Sequence, residues 1–161
     1  MREEFAKFIE EVVRKDKRVH LLSLDGPGYG LFNKLTSENL GNYWNLGLME
    51  QASIGIAAGM ALEGLKPYVY SITPFLLERP FEQVKLDIVE QKADVKLISF
   101  WNYSKDGPTH ITKDPEGLCK ILGIRFFKPK NSEETHRLLL ETYNDKEPAF
   151  FYLTKNQDLK K

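Results

Sequence analysis

The sequence predicts an α/β fold: a three-layer, mostly parallel, doubly wound sheet of about six strands with helices on both faces. Three observations carry that expectation. Short apolar runs alternate with helically spaced segments along the whole chain, the pattern of repeated strand–helix–strand units. The 161 residues, 42% of them apolar, suffice for one domain with a real core and are too few for two ordinary ones. Neither an internal repeat nor a Pro/Ser-rich linker interrupts them, so a single domain is expected over residues 1–154, followed by a tail over 155–161.

Each element can be placed in order. Residues 2–15 carry Phe5, Phe8, Ile9, Val12 and Val13 between charges, the single apolar stripe of a surface helix. The apolar run 19–24 reads as the first strand and stops at the turn formers Asp25-Gly26-Pro27-Gly28-Tyr29-Gly30. A short helix follows over 31–40, a second strand over 43–46, and a helix rich in small residues over 50–62. The third strand is expected over 68–72, a long helix over 78–91 with Pro80 near its start, and the fourth strand over 95–101. After the polar loop 102–113, Asp114 is placed to cap a helix over 115–122 whose first residue is Pro115. A strand over 124–127, a helix over 132–143 capped by Ser132, and a strand over 149–153 close the series.

Composition excludes several functions. Lys+Arg and Asp+Glu balance at 23 each, which leaves no net field to attract nucleic acid or an anionic membrane. One cysteine, Cys119, forms no internal disulfide and no cysteine-rich metal site; beside Leu118 and Ile121 it reads as core. Met1-Arg2-Glu3-Glu4 is charged and lacks the apolar stretch of a secretory signal, and no run approaches the ~18 apolar residues of a membrane span. The expected location is cytoplasmic.

In open sheets of this kind ligands bind beyond the carboxyl ends of the strands. The loops there are 25–30, 47–50, 73–75 and 103–110, and every candidate site residue lies in one of them. Glu50 stands at the first turn of a helix that follows a strand, where the helix dipole favours a carboxylate. On position alone it is equally well a helix-start acid. The helix behind it is unusual. Ala52, Gly55, Ala58 and Gly59 leave one face nearly bare, and two mid-helix glycines cost roughly 1 kcal/mol each relative to alanine. Such a helix is expected to pack closely on another one, across a subunit interface. Gly26, Gly28 and Gly30 do not make a dinucleotide fingerprint, because the third glycine comes a residue early and Pro27 lies inside. His20, in a strand, and His136, on a helix, read as structural.

Asn45-x-Gly47-x-x-Glu50-Gln51, followed by Gly55-x-Ala57-x-Gly59-x-Ala61, resembles the pyrimidine-binding domain of the transketolase-type thiamine-diphosphate enzymes. That group includes transketolase, 1-deoxy-D-xylulose 5-phosphate synthase and the beta subunits of 2-oxo-acid dehydrogenases. Lys66-Pro67, Phe75, Glu82-Gln83-Val84 and Asp106-Gly107-Pro108-Thr109-His110 continue the resemblance. The resemblance implies that Glu50 hydrogen-bonds the ring nitrogen of the cofactor's aminopyrimidine, favouring the imino tautomer that removes the thiazolium C2 proton. A carboxyl in that role is expected to be held protonated by burial at a dry interface. It implies that Phe75 lies against the pyrimidine face, that Asp25 sits near the thiazolium, and that His110 and Asp106 hydrogen-bond hydroxyls of a donor sugar. Read without the resemblance, Phe75 fits a core position, Asp25 a turn and His110 a solvated loop. Pro74 and one extra residue before Phe81 depart from the commoner pattern. Tyr103 and Lys105 flank the last loop within reach of a substrate.

The family anchors the cofactor diphosphate through a magnesium ion held by a separate domain with a Gly-Asp-Gly segment and a later asparagine. No Gly-Asp-Gly occurs here. The resemblance therefore implies a partner subunit that carries that domain and holds the magnesium, with self-association into two of each subunit. The implied activity is two-carbon (ketol) transfer on a sugar or sugar phosphate by a heteromeric enzyme that is inactive without the partner. Two alternatives remain open: a subunit of a thiamine-diphosphate-dependent 2-oxo-acid decarboxylase, and a non-catalytic partner-binding domain.

Overall fold

The computed structural model describes residues 1–24, 30–38, 41–100 and 106–154. Helix α1 (Arg2–Lys15) leads into strand β1 (Val19–Ser23), then α2 (Asn33–Ser37) and β2 (Tyr43–Asn45). Helix α3 (Glu50–Leu62) precedes β3 (Lys66–Ile72), which runs directly into the short helix α4 (Thr73–Leu77). Helix α5 (Phe81–Gln83) continues as a π-helical segment, Val84–Val89, before β4 (Lys96–Phe100). A single 3₁₀ turn (Pro108–His110), α6 (Pro115–Leu122), β5 (Arg125–Phe127), α7 (Ser132–Asn144) and β6 (Ala149–Leu153) complete the described chain.

The six strands form one sheet in the order β2-β1-β3-β4-β6-β5, and every pair is parallel. Alternation of side chains along the strands divides the core in two. Tyr68, Tyr70, Ile72, Ile98, Phe100 and Phe151 point to the layer of α1, α2 and α7, where Phe5, Phe8, Ile9 and Leu139 meet them. Val69, Leu97 and Phe150 point to the layer of α3, the π-helical segment and α6, against Ile54, Ala57, Val84, Ile88, Cys119 and Leu122. The expected three-layer arrangement is what these contacts build.

Chain order along the sheet reverses between β1 and β3: the chain steps outward from β1 to β2, then returns to the other side of β1. The carboxyl ends of β1 and β3 therefore open a crevice at a topological switch point, where open α/β sheets bind ligands. The segments that follow β2, β3 and β4 all border that end of the sheet.

Four elements depart from the sequence reading. β3 begins at Lys66 rather than at residue 68, since Pro67 is tolerated near the start of a strand although it donates no hydrogen bond. Residues 73–75 are not a loop; Thr73 to Leu77 form a helical turn with Pro74 in its first positions, where a missing N–H costs nothing. The long helix expected over 78–91 is broken, with α5 entered at Pro80 and then widened to π geometry. Helix α7 is capped by Asn131 and not by Ser132: the Asn131 side chain accepts from Glu134 N–H at 2.9 Å, and Ser132 is already helical. Asp114 caps α6 as expected, accepting from Gly117 N–H.

Candidate functional site

Glu50 is placed by the turn between β2 and α3. Gly47 N–H donates to the Asn45 side-chain oxygen at 3.0 Å, and Gly47 adopts φ +66°, a left-handed conformation that residues with a Cβ disfavour. The Asn-x-Gly spacing is thus a turn device that reverses the chain within a few residues of the strand and starts α3 at Glu50. This places Glu50 at the crevice end of the sheet, and the residue is only 9% exposed.

Helix α4 delivers Phe75 and Arg79. Both Glu78 N–H and Arg79 N–H bond to the Pro74 carbonyl at 3.0 Å, so the turn widens by one residue after α4. It sets Arg79 one turn beyond Phe75, and its guanidinium carbon lies 3.7 Å from the centroid of the Phe75 ring. The same guanidinium donates to Glu50 Oε1 at 2.5 Å. Gln51 donates from its side-chain amide to the Arg79 carbonyl at 3.3 Å, so both residues of the Glu-Gln pair hold Arg79. The Arg79 side chain remains 39% exposed. At that exposure the ion pair contributes about 0–1 kcal/mol and the cation–ring contact about 0.5–1 kcal/mol. Arg79 was not among the residues expected at the site, although the i, i+4 spacing from Phe75 was visible in the sequence.

His110 arrives from the segment after β4. Gly107, at φ +88°, turns the chain into the 3₁₀ turn Pro108–His110, and His110 N–H donates to the Gly107 carbonyl at 3.2 Å. The His110 ring meets Phe75 edge to face, with centroids 5.2 Å apart, and its Nδ1 is 3.0 Å from Thr109 Oγ1. Phe75 itself is 6% exposed and belongs to the first core cluster, so it is a core residue that also contacts Arg79 and His110. Glu50, Phe75 and His110 are thereby brought into one connected group, with Arg79 between the first two. Asp106 is exposed at the start of the same turn. Asp25, Tyr103 and Lys105 lie outside the described residues.

The remaining histidines and the cysteine have other partners. His20, in β1, accepts from the Trp44 indole N–H at 3.3 Å, and burial lowers its pKa. His136 pairs with Glu4 across α1 and α7 at 3.0 Å. Cys119 is fully buried, and desolvation pushes its thiol up to about 12, which removes it from nucleophilic chemistry. Among the described residues no three His, Cys, Asp or Glu side chains gather as a metal site would need. No helix among them is long and apolar enough to cross a membrane.

The small residues of α3 do not share one face. Ala58 is buried against the sheet, and a Cβ on Gly55 would stand 3.7 Å from Asp87 of the π-helical segment. Ala52, Ile56 and Gly59 face outward, and a Cβ on Gly59 would meet nothing within 4 Å among the described residues. Leu48, Met49 and Trp44 are exposed near the start of the same helix, Leu48 by 63%.

The family model described as transketolase, pyrimidine binding domain, matches residues 1–158. One subunit of the apulose-4-phosphate transketolase of Actinobacillus succinogenes is 33% identical over 113 residues, 68% of this chain and 36% of that protein. The 1-deoxy-D-xylulose-5-phosphate synthase of Stutzerimonas stutzeri is 34% identical over 110 residues, 66% of this chain and 17% of that protein. The chain thus spans a minor part of the length of either relative. A solved structure described as a split gene transketolase, inactive beta4 tetramer, superposes with a TM-score of 0.84 at 21% identity, over 96% of this chain and 51% of that one. That superposition shows the shared fold, and the match over residues 1–158 places this chain in the transketolase pyrimidine-binding domain family.

Proposed function

We propose that the chain is the pyrimidine-binding subunit of a split, heteromeric, thiamine-diphosphate-dependent enzyme of the transketolase type, acting in two-carbon transfer on a sugar or sugar phosphate. The observation that carries the proposal is the meeting of Glu50, Phe75 and His110, from three separate segments, at the carboxyl edge of the sheet. These side chains fit the pyrimidine end of the cofactor: a largely buried carboxyl at a helix start, an aromatic ring beside it, and a histidine against that ring. Glu50 hydrogen-bonds the pyrimidine ring nitrogen and holds or returns its proton. Phe75 packs on the ring, and His110 with Asp106 takes hydroxyl groups of the donor sugar; Asp25 is assigned to the thiazolium side. When bound, the cofactor supplies the nucleophilic carbon that accepts the two-carbon unit.

The diphosphate end needs residues this chain does not contain, since no Gly-Asp-Gly segment occurs among its 161 residues. A partner subunit carrying that segment and a later asparagine would hold the diphosphate and its magnesium. The relatives named as one subunit of a transketolase, together with the split-gene transketolase, support a two-subunit arrangement. Calorimetry tests the proposal. At the micromolar concentrations of calorimetry this chain by itself is expected to show weak or no binding of thiamine diphosphate, and the mixture with its partner tight binding in the presence of magnesium. Tight magnesium-dependent binding by this chain alone would overturn the two-subunit reading.

The outward face of α3 supports an assembly surface. Gly59 is required by nothing among the described residues, yet a mid-helix glycine costs roughly 1 kcal/mol relative to alanine. Gly59→Ala is therefore expected to stabilise the isolated chain by about 1 kcal/mol in denaturant unfolding while weakening its association. A stabilised variant that associates as well as the original in sedimentation would remove this face from the interface.

A further inference from the structure

The geometry points to Arg79 as an internal plug that occupies the pyrimidine place in the free chain and has to swing out before the cofactor binds. The inference rests on the functional reading above and deepens it. A guanidinium is planar, cationic and rimmed with N–H donors. In this chain it covers the Phe75 ring with its central carbon 3.7 Å from the centroid, and it donates to Glu50 Oε1 at 2.5 Å. Those are the two contacts assigned above to the aminopyrimidine: a flat ring on Phe75 and a hydrogen bond at the Glu50 carboxyl. The face of Phe75 that lies under the guanidinium cannot carry a second flat group, so Arg79 and a pyrimidine exclude each other there.

The neighbouring contacts suit a plug that moves. Gln51 holds the Arg79 backbone at its carbonyl, and the Arg79 amide is bonded to the Pro74 carbonyl, so the backbone is anchored independently of the guanidinium contacts. The guanidinium is partly exposed, at 39%, so leaving the site returns it to water it already contacts. In the free chain the plug covers an aromatic ring and neutralises a carboxylate that would otherwise face the open crevice unpaired. A displaced Arg79 remains beside the site, where its positive charge can face a phosphate or carboxylate of the bound ligand.

A plug lowers apparent affinity in proportion to the fraction of molecules in which it is open. If the site is open in about a tenth of free chains, removing the plug tightens binding by about tenfold. The test uses the full chain and thiamine, which carries the pyrimidine without needing the diphosphate partner. Guanidinium ¹⁵N signals and Phe75 ring signals are followed by NMR in the original chain and in Arg79→Ala, Arg79→Lys and Glu50→Gln. The expected result has three parts. Arg79 shows hindered guanidinium rotation in the free chain and loses it in Glu50→Gln. Millimolar thiamine releases that hindrance in the original chain. Arg79→Ala binds thiamine about tenfold more tightly, and Arg79→Lys, which keeps the charge but not the planar group, falls between. Thermal unfolding of each variant confirms that it is folded. Equal thiamine affinity in Arg79→Ala and the original, with Arg79 signals unmoved on binding, would overturn the plug and leave the pyrimidine site standing. Thiamine that shifts Phe75 in none of the folded proteins would overturn the pyrimidine reading and the plug with it.

Discussion

Glu50→Gln in the assembled enzyme is expected to slow deuterium exchange at the cofactor C2 position by about 100-fold or more, the range lost when a positioned proton-transfer group is removed. Glutamine fills the same volume at the start of α3, where the turn set by Asn45 and Gly47 would still place it. Its amide can hydrogen-bond the pyrimidine ring but cannot give and recover a proton. The substitution also deletes the ion pair with Arg79, so it would loosen the plug while disabling proton transfer. Cofactor affinity and C2 exchange should therefore part: affinity kept or improved, exchange lost. That split is the diagnostic, because a merely structural Glu50 would lower both through poorer folding. Exchange at the original rate in a folded Glu50→Gln complex would show that this carboxyl is not the activating group.

The second large effect is expected at His110. His110→Ala should lower kcat/KM for the sugar substrate by about tenfold or more, since a hydrogen bond to an uncharged group is worth on the order of 1 kcal/mol and more in a dry site. C2 exchange should stay near the original rate, because His110 touches the edge of Phe75 and not Glu50. The contact with Phe75 makes one control necessary. His110→Phe preserves an edge-to-face partner for the ring while removing the hydrogen-bonding nitrogens, so it should reproduce the loss in kcat/KM. Loss of turnover and exchange together in both variants would assign His110 to the cofactor or to the fold and not to the substrate.

Much of the molecule was legible in the sequence because the relevant signals are local. Apolar periodicity marked α1, the Asp114-Pro115 pair marked the start of α6, and the strand-then-turn pattern put Glu50 at the first position of α3. Each of these depends on residues within a turn or two of one another. The misplaced features are those in which two local signals compete or a distant contact decides. Asn131 and Ser132 are both good caps, and only the extended backbone at Asn131 chooses between them. The 78–91 stretch has helical composition, but Pro80 and the widened turn at Pro74 break it, which moves Phe75 from a loop onto a helical turn.

Fold class, the succession of strands and helices along the chain, and the residue types available for chemistry were already contained in the sequence. So was the position of Glu50 at the head of a helix, because a strand, an Asn-x-Gly turn and a small-residue helix follow one another without a gap. Which of these residues meet was settled by packing. Strand order is set by non-local pairing, and it is the placement of β1 between β2 and β3 that opens the crevice and sets the end of β3 beside the start of α3. The same packing turned Ala58 inward and Gly59 outward, a division that composition alone does not contain. It also brought Arg79 onto Phe75 and Glu50, since a contact between residues 29 apart depends on how two helices cross the sheet edge and not on the propensity of either.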